Sequence, residues 1–216
     1  MPTNDTPSRV PPEVVDCEQG TPEWERIRAG RITASAFDRV LPRGKGAETY
    51  ALELVSERLT GKPLPNFTSK QTDWGNEHEG AARAMVMLEL GVPVDQVGFL
   101  IRGDIPTVGA SPDGLIGDDT MLEIKCPYTS KMHLATALSG AVPKEYVAQV
   151  QGQLWVADRD KAVFASYDPR MPAGLQLVTV DVERDPKLFP KIDEALRWFA
   201  GHVDELETRI RERING

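Results

Sequence analysis

Cysteine is almost missing from this chain, with only Cys17 and Cys126 among 216 residues. So few thiols exclude a disulfide framework and a four-cysteine zinc or iron–sulfur centre within one chain. Reduced thiols in a cytoplasmic setting are the natural expectation. Long apolar runs are lacking too, and none approaches the roughly 20 residues of a membrane-spanning helix. The opening MPTNDTPSRVPPE has no apolar core of the kind a secretory signal carries. There is no GxxxxGK[ST] phosphate loop, which excludes a nucleotide-driven helicase unit. Positive charge is in deficit: 25 Lys and Arg face 33 Asp and Glu, for a net charge of −8. Coating duplex DNA needs a dense basic surface, because affinity comes mainly from phosphate neutralisation. The deficit therefore argues against a coating protein, while leaving room for an acidic site with a basic lining. Internal repeats and low-complexity segments are also absent.

What remains is an ordinary globular composition, 40% hydrophobic and 27% charged. Its length suits one domain with a substantial core. Residues 1–19 read as a polar, proline-rich lead-in, and residues 20–216 as the domain. A helix starts at Thr21-Pro22-Glu23, with a capping hydroxyl, proline at the first helical position and an acid in the first turn. It carries Trp24 and Arg28 and stops at Gly30. A second start lies at Thr33-Ala34-Ser35, and RGKG (43–46) reads as a basic turn. Residues 47–59 have a helical rhythm that ends at Gly61. A long helix is predicted from about Thr72 to Leu90, with Trp74, Ala81, Ala82, Met85 and Leu88 on its buried side. VGFLI, the TV before Gly109, TMLEIKC, AVFASY and LQLVTVDV read as strands. Helices are expected at about 145–157 and 185–211. The sum is an α/β (α+β) domain, with a central mixed β-sheet flanked by helices.

The informative stretch is Ser111-Pro112-Asp113-Gly114, followed ten residues after the aspartate by Glu123-Ile124-Lys125. Side chains alternate along a strand, so Glu123 and Lys125 share a face while Leu122, Ile124 and Cys126 turn to a core. The Pro112-Asp113-Gly114 turn can hold a second acid beside them. Two carboxylates suit a hard cation such as Mg²⁺, and the Ile124 carbonyl could add a ligand. A nearby lysine can orient or deprotonate water, or neutralise charge developing on a phosphate. The same residues also suit a surface charge pair beside a turn aspartate, so the motif alone leaves both readings open. The tryptophans lie on apolar helix faces and read as core. Cys126 reads as a small apolar residue rather than a nucleophile.

The segments GTPEWERIRAGRITAS, WGNEHEGAAR, ASPDG, LEIKCPYTS, YVAQVQGQLWV and YDPRM, in that order, resemble those of lambda-type phage exonucleases. These form the YqaJ-like branch of the PD-(D/E)XK nuclease superfamily. The resemblance spans about Gly20 to Met171 and implies a restriction-endonuclease-like core. It implies metal ligation by Asp113, Glu123 and Glu79, and a catalytic role for Lys125. Gln149, or Gln151 beside it, matches the family's glutamine after the motif strand. Arg28 and Ser35 match residues that bind the 5′-phosphate of the degraded strand, and Arg43 and Lys45 are further candidate DNA contacts. The implied activity is Mg²⁺-dependent 5′→3′ digestion of linear double-stranded DNA ends, with Mn²⁺ as a substitute. A homotrimeric ring and a single-strand annealing protein are the implied partners. Thr72 and Asp73 stand where an apolar wedge into the duplex is expected, which leaves Leu64 and Phe67 as candidates for that task. An endonuclease of the same superfamily, or a noncatalytic DNA-end-binding module, are the alternatives.

Overall fold

A computed structural model describes residues 11–65 and 69–215. The chain runs β1 (Glu13–Val15), α1 (Pro22–Arg28), β2 (Ile32–Thr33), a 3-10 turn (Ala34–Ala36), α2 (Phe37–Val40), α3 (Lys45–Thr60) and α4 (Lys70–Leu90). It continues through β3 (Phe99–Ile101), β4 (Val108–Ala110), β5 (Gly114–Ile116), β6 (Thr120–Lys125), α5 (Ser130–Ser139) and α6 (Lys144–Ala157). It ends with β7 (Lys161–Tyr167), β8 (Leu177–Glu183) and α7 (Phe189–Asn215). The mixed pairing is shared between two four-stranded sheets, ordered β1-β3-β4-β2 and β5-β6-β7-β8. β2 runs parallel to β4 and β6 to β7, and the other neighbours are antiparallel.

Local chemistry explains most boundaries. The Thr21 hydroxyl accepts from Trp24 N–H and caps α1, while Ser69 does the same for Thr72 at the start of α4. α3 and α4 stop at Gly61 and Gly91, both left-handed at φ 66° and 65°, where glycine carries no Cβ penalty. Pro127, which has no N–H to give, follows β6 closely. α7 presents Ile192, Ala195, Leu196, Phe199, Ala200 and Val203 as one buried stripe at helical spacing. It starts later than the pattern suggested: Asp185 forms a turn before it, its carboxylate accepting from Lys187 and Leu188 N–H.

The second sheet is covered on both faces, and this positions the motif strand. Leu122 and Ile124 of β6, with Val163 and Ala165 of β7, pack with Ala82 and Val86 of α4. Met121, Ala162 and Phe164 belong instead to the larger core, which includes Val150, Leu154 and Val156 of α6. β6 alternation therefore turns Glu123 and Lys125 toward α6 and away from α4. α6 also lies hard against α2, because position 152 is glycine. A Cβ there would stand 2.3 Å from Cδ2 of Phe37.

Four expectations need correction. Residues 13–15 lie within the lead-in yet join the first sheet, with Val14 paired to Leu100. α4 buries Ala82 and Val86, whereas Ala81 is exposed and Leu88 is 79% exposed. α5 has no counterpart in the sequence reading, because its buried residues are His133 and Thr136 while Leu138 faces outward. Of the four tryptophans only Trp155 is core; Trp24, Trp74 and Trp198 are half-buried, each beneath an arginine. Among the described residues no helix is long and apolar enough to cross a membrane.

Candidate active site

Register brings the acids together. β5 pairs with β6 with Gly114 opposite Leu122, which sets Asp113 beside Glu123 at the open end of the pair. Asp113 is tied to the strand twice: its N–H donates to the Leu122 carbonyl at 3.0 Å, and its Oδ2 accepts from Ile124 N–H at 2.5 Å. Glu123 is 1% exposed. Its Oε1 accepts from the Lys125 ammonium at 2.5 Å and from Gln149 Nε2 at 2.6 Å. Its Oε2 accepts from Gln153 Nε2 at 2.8 Å. A buried carboxylate is tolerable only with such partners, and here three donors share one group.

The electrostatics follow from this crowding. Burial pushes the Asp113 carboxyl well above the usual range, and the neighbouring acids Glu123 and Glu79 push it further against the opposing pull of Lys125. For Lys125 burial favours the neutral amine, but Glu123 and Asp113 outweigh it and raise its proton affinity. Lys125 is thus held as a cation, which favours charge neutralisation over a general-base role. The Cys126 thiol is pushed up to about 12 by burial and by Glu79 and Asp113, so no thiolate nucleophile is available.

Glu79 reaches the same cleft from α4. It shares with Asp113, Ile124 and Lys125 the lining of a hollow of about 430 Å³ that also includes Tyr128 and Tyr146. Its carboxylate is held by Arg83, one helical turn along, whose Nε donates to the Asp113 carbonyl at 2.9 Å. Arg83 thus links α4 to the turn bearing Asp113. Among the described residues no three Asp, Glu, His or Cys side chains form a ready metal cluster. The acids are instead satisfied by Lys125, Arg83, the glutamines and Ile124 N–H. Their chemistry nevertheless fits a hard divalent cation: the acids and the Ile124 carbonyl offer oxygen donors, and Glu123 and Glu79 raise the proton affinity of Asp113.

A model of the YqaJ-like viral recombinase domain matches residues 23–160, well over half of the chain. The chain belongs to the YqaJ-like viral recombinase family. A solved alkaline exonuclease, LHK-Exo from Laribacter hongkongensis, is 34% identical, with a TM-score of 0.85 over 90% of this chain and 98% of its own. The structure of LHK-Exo in complex with dAMP matches over the same shares at 33% identity and TM-score 0.85. A phage related exonuclease from Haemophilus somnus shares the fold at 18% identity and TM-score 0.62, covering 83% of this chain and 96% of that one. The uncharacterized protein ExoD of Escherichia coli (strain K12) is 41% identical over 71 residues, 32% of this chain and 79% of that protein. The architecture is accordingly an exonuclease fold of the PD-(D/E)XK type, and this YqaJ-like chain is a nuclease by kinship.

The remaining residues named from the YqaJ resemblance fall in different places. Arg28 is half-buried, stacks on Trp24 at 3.9 Å and has a buried Nε without a partner among the described residues. Burial lowers its proton affinity, although Tyr50, Glu57 and Glu25 oppose the effect. An orphan guanidinium donor of this kind suits an anion. Trp24 in turn donates from its indole N–H to Ser111 Oγ at 2.8 Å, tying α1 to the loop that leads to Asp113. Ser35 is exposed in the 3-10 turn, its Oγ 3.3 Å from Thr33 Oγ1.

Arg43 and Lys45 lie outside the cleft. Arg43 pairs with Glu194 at 2.7 Å and covers Trp198, and Lys45 is exposed at the start of α3. Gln151 serves the scaffold, joining Glu183 and Asp185 backbone groups, so of these two it is Gln149 that reaches Glu123. Thr72 lies in the first turn of α4 and borders the cleft, and Leu64 is partly exposed on the loop after α3. Phe67 lies outside the described residues. Arg83 and Gln153 were missed by the sequence reading. Gln153 stands four residues after Gln149, a helical spacing that could have marked it.

Proposed function

We propose that this chain is a divalent-metal-dependent 5′→3′ exonuclease acting on linear double-stranded DNA. It would release mononucleotides from the 5′-ended strand and leave 3′ single-stranded tails for phage recombination by strand annealing. The observation that carries this reading is the cluster of Asp113, Glu123, Lys125 and Gln149, in which Asp113 and Lys125 line the cleft and Glu123 and Gln149 lie behind them. Family membership supports nuclease chemistry, and the LHK-Exo complex with dAMP supports a mononucleotide product.

Asp113, Glu123, Glu79 and the Ile124 carbonyl would hold Mg²⁺ or Mn²⁺. When bound, the cation supplies charge stabilisation at the phosphate and a more acidic water. Lys125, kept protonated by its acids, places a positive charge and donors beside the phosphoryl oxygens. Gln149, donating to Glu123 with its amide nitrogen, can accept from the attacking water with its oxygen. Arg28 and Ser35 would hold the 5′-phosphate. This orients the terminal nucleotide and distinguishes a phosphorylated end from a hydroxyl end.

A duplex carrying one 5′-phosphorylated and one 5′-hydroxyl end tests the scheme, with closed circular DNA alongside. Mononucleotides are expected from the phosphorylated end only, in Mg²⁺ and not in EDTA, with circles intact. Arg28→Ala should reduce the preference for phosphate about 10- to 100-fold, the value of a charge-assisted contact. Cutting of circles would make the chain an endonuclease, and end binding without cleavage in any metal would leave a binding module.

A homotrimeric ring is part of the proposal. Enclosure keeps an enzyme on its track with little nonspecific affinity, which suits a chain of net charge −8. Light scattering should give three times the 23.8 kDa chain mass. A stable monomer at working concentration would exclude the ring.

A further inference from the structure

We infer that Gln153 is a positioning residue for the nuclease centre, holding the Glu123 carboxylate in the orientation that receives the metal. The inference rests on the metal-dependent reading above and goes beyond it in naming a residue with no access to substrate.

Gln153 is 2% exposed and belongs to the buried end of α6, next to Gly152, Leu154 and Trp155. Its neighbours on the helix make the apolar core, so an aliphatic side chain would satisfy the packing. The amide instead sends Nε2 to Glu123 Oε2 at 2.8 Å, with a longer 3.5 Å contact to the Ser111 carbonyl. Its own Oε1 is buried and finds no partner among the described residues. Turning the amide over would set that oxygen against the carboxylate, so the acid dictates the amide's orientation. One polar end is thus left unpaired in the core to give Glu123 a third donor, which carries a cost in stability.

The three donors divide the work. Lys125 and Gln149 meet Oε1. Lys125 also borders the cleft, whereas among the described residues Gln153 alone meets Oε2. With Oε2 anchored from behind, the carboxylate cannot swing about its terminal bond, and Oε1 stays toward Lys125 and Gln149. Hydrogen-bonding partners behind a ligand typically contribute about 10- to 100-fold in metal affinity or activity. Gln153 touches neither substrate nor metal in this scheme, so its effect must pass through Glu123.

The test uses the full-length protein with Gln153→Met and Gln153→Leu, two donor-free replacements of which one folding variant suffices, and Gln153→His, which retains a donor. Mg²⁺ binding is measured by calorimetry without DNA, and thermal denaturation follows the metal-free protein. Digestion of 5′-phosphorylated duplex gives kcat and KM. The donor-free variants should bind Mg²⁺ at least tenfold more weakly, with kcat reduced at low Mg²⁺ and KM for DNA ends unchanged. Their metal-free melting temperature should stay close to wild type, because removing the unpaired Gln153 oxygen offsets the loss of one donor to the buried Glu123 carboxylate. Gln153→His should recover most of the affinity. Wild-type Mg²⁺ affinity in the donor-free variants, or a lower melting temperature with unchanged kcat, would make Gln153 a packing residue and overturn the inference. Failure of the wild-type protein to bind Mg²⁺ or cleave would instead remove the metal-dependent reading beneath it.

Discussion

Asp113→Asn is expected to lower cleavage about 10³-fold while raising the melting temperature of the metal-free protein at pH 8. The loss corresponds to several kcal/mol of charge stabilisation, the scale at which a bound cation contributes. The gain follows from linkage. In the folded chain the Asp113 carboxyl is held above its ordinary value by burial and by Glu123 and Glu79. A raised carboxyl contributes stability that is complete below its unfolded pKa of about 3.9 and is lost as pH rises through the folded value. At pH 8, where the unfolded chain ionises this carboxyl freely, the raised value makes Asp113 a net burden on the metal-free fold. Asparagine keeps an acceptor for Ile124 N–H and removes the charge. Its advantage should shrink as pH falls through the raised pKa and Asp113 itself takes up a proton. Melting curves at several pH values, each with and without Mg²⁺, check the sign. A variant less stable than wild type at pH 8 without metal would show that the acids do not repel as described.

Lys125→Ala is expected to reduce cleavage by a similar factor, roughly 10²–10³, but with the opposite effect on stability. Lys125 is the cation closest to Glu123, and removing it leaves two crowded carboxyls with only neutral donors. Breaking a buried pair in this way costs about 3–5 kcal/mol when no relief is available. Here water reaches Lys125 from the cleft, and the acids can take up a proton, so the lower end applies. For a chain of this size a loss of about 3 kcal/mol is a fall in melting temperature of roughly 6–12 °C. Added Mg²⁺ should restore part of it, because a ligand that binds only the folded state stabilises by mass action. The rise in melting temperature on adding Mg²⁺ should thus be larger in Lys125→Ala than in wild type. Equal rises would mean that Lys125 and the metal do not answer the same negative charge.

The two variants separate what the motif alone leaves joined. A surface charge pair beside a turn aspartate would make both substitutions nearly neutral, because exposed pairs contribute little. Burial of Glu123 to 1% exposure, with donors on both oxygens, already places this cluster outside that case.

Much of this arrangement is legible in the amino-acid order. Strand alternation assigns Glu123 and Lys125 to one face and Leu122 and Ile124 to the other, and the packing of β6 follows it. Long elements with strong caps or stripes, such as α3, α4, α6 and α7, are readable for the same reason. What escapes is of two kinds. β1, β2 and β5 have two or three residues each, too few to show any period, and exist because neighbouring strands offer them hydrogen bonds. α5 and the far end of α4 turn leucines outward, so a reading by apolar rhythm misses one and inverts the other. The site divides similarly. Asp113, Glu123 and Lys125 lie close in sequence and announce themselves. Arg83 and Gln153 act across 30 residues each, and only the packed α4 and α6 bring them to Asp113 and Glu123.

The YqaJ-family assignment and the geometry meet at one point, the acid pair with its lysine. The most direct test is a Mg²⁺ titration, from EDTA upward, of mononucleotide release from a 5′-phosphorylated linear duplex by wild type and Asp113→Asn. Release by wild type should be nil in EDTA and rise to a plateau with Mg²⁺, with Asp113→Asn about 10³-fold lower throughout. Cleavage that persists in EDTA, or survives the substitution undiminished, would place the chemistry outside this cleft.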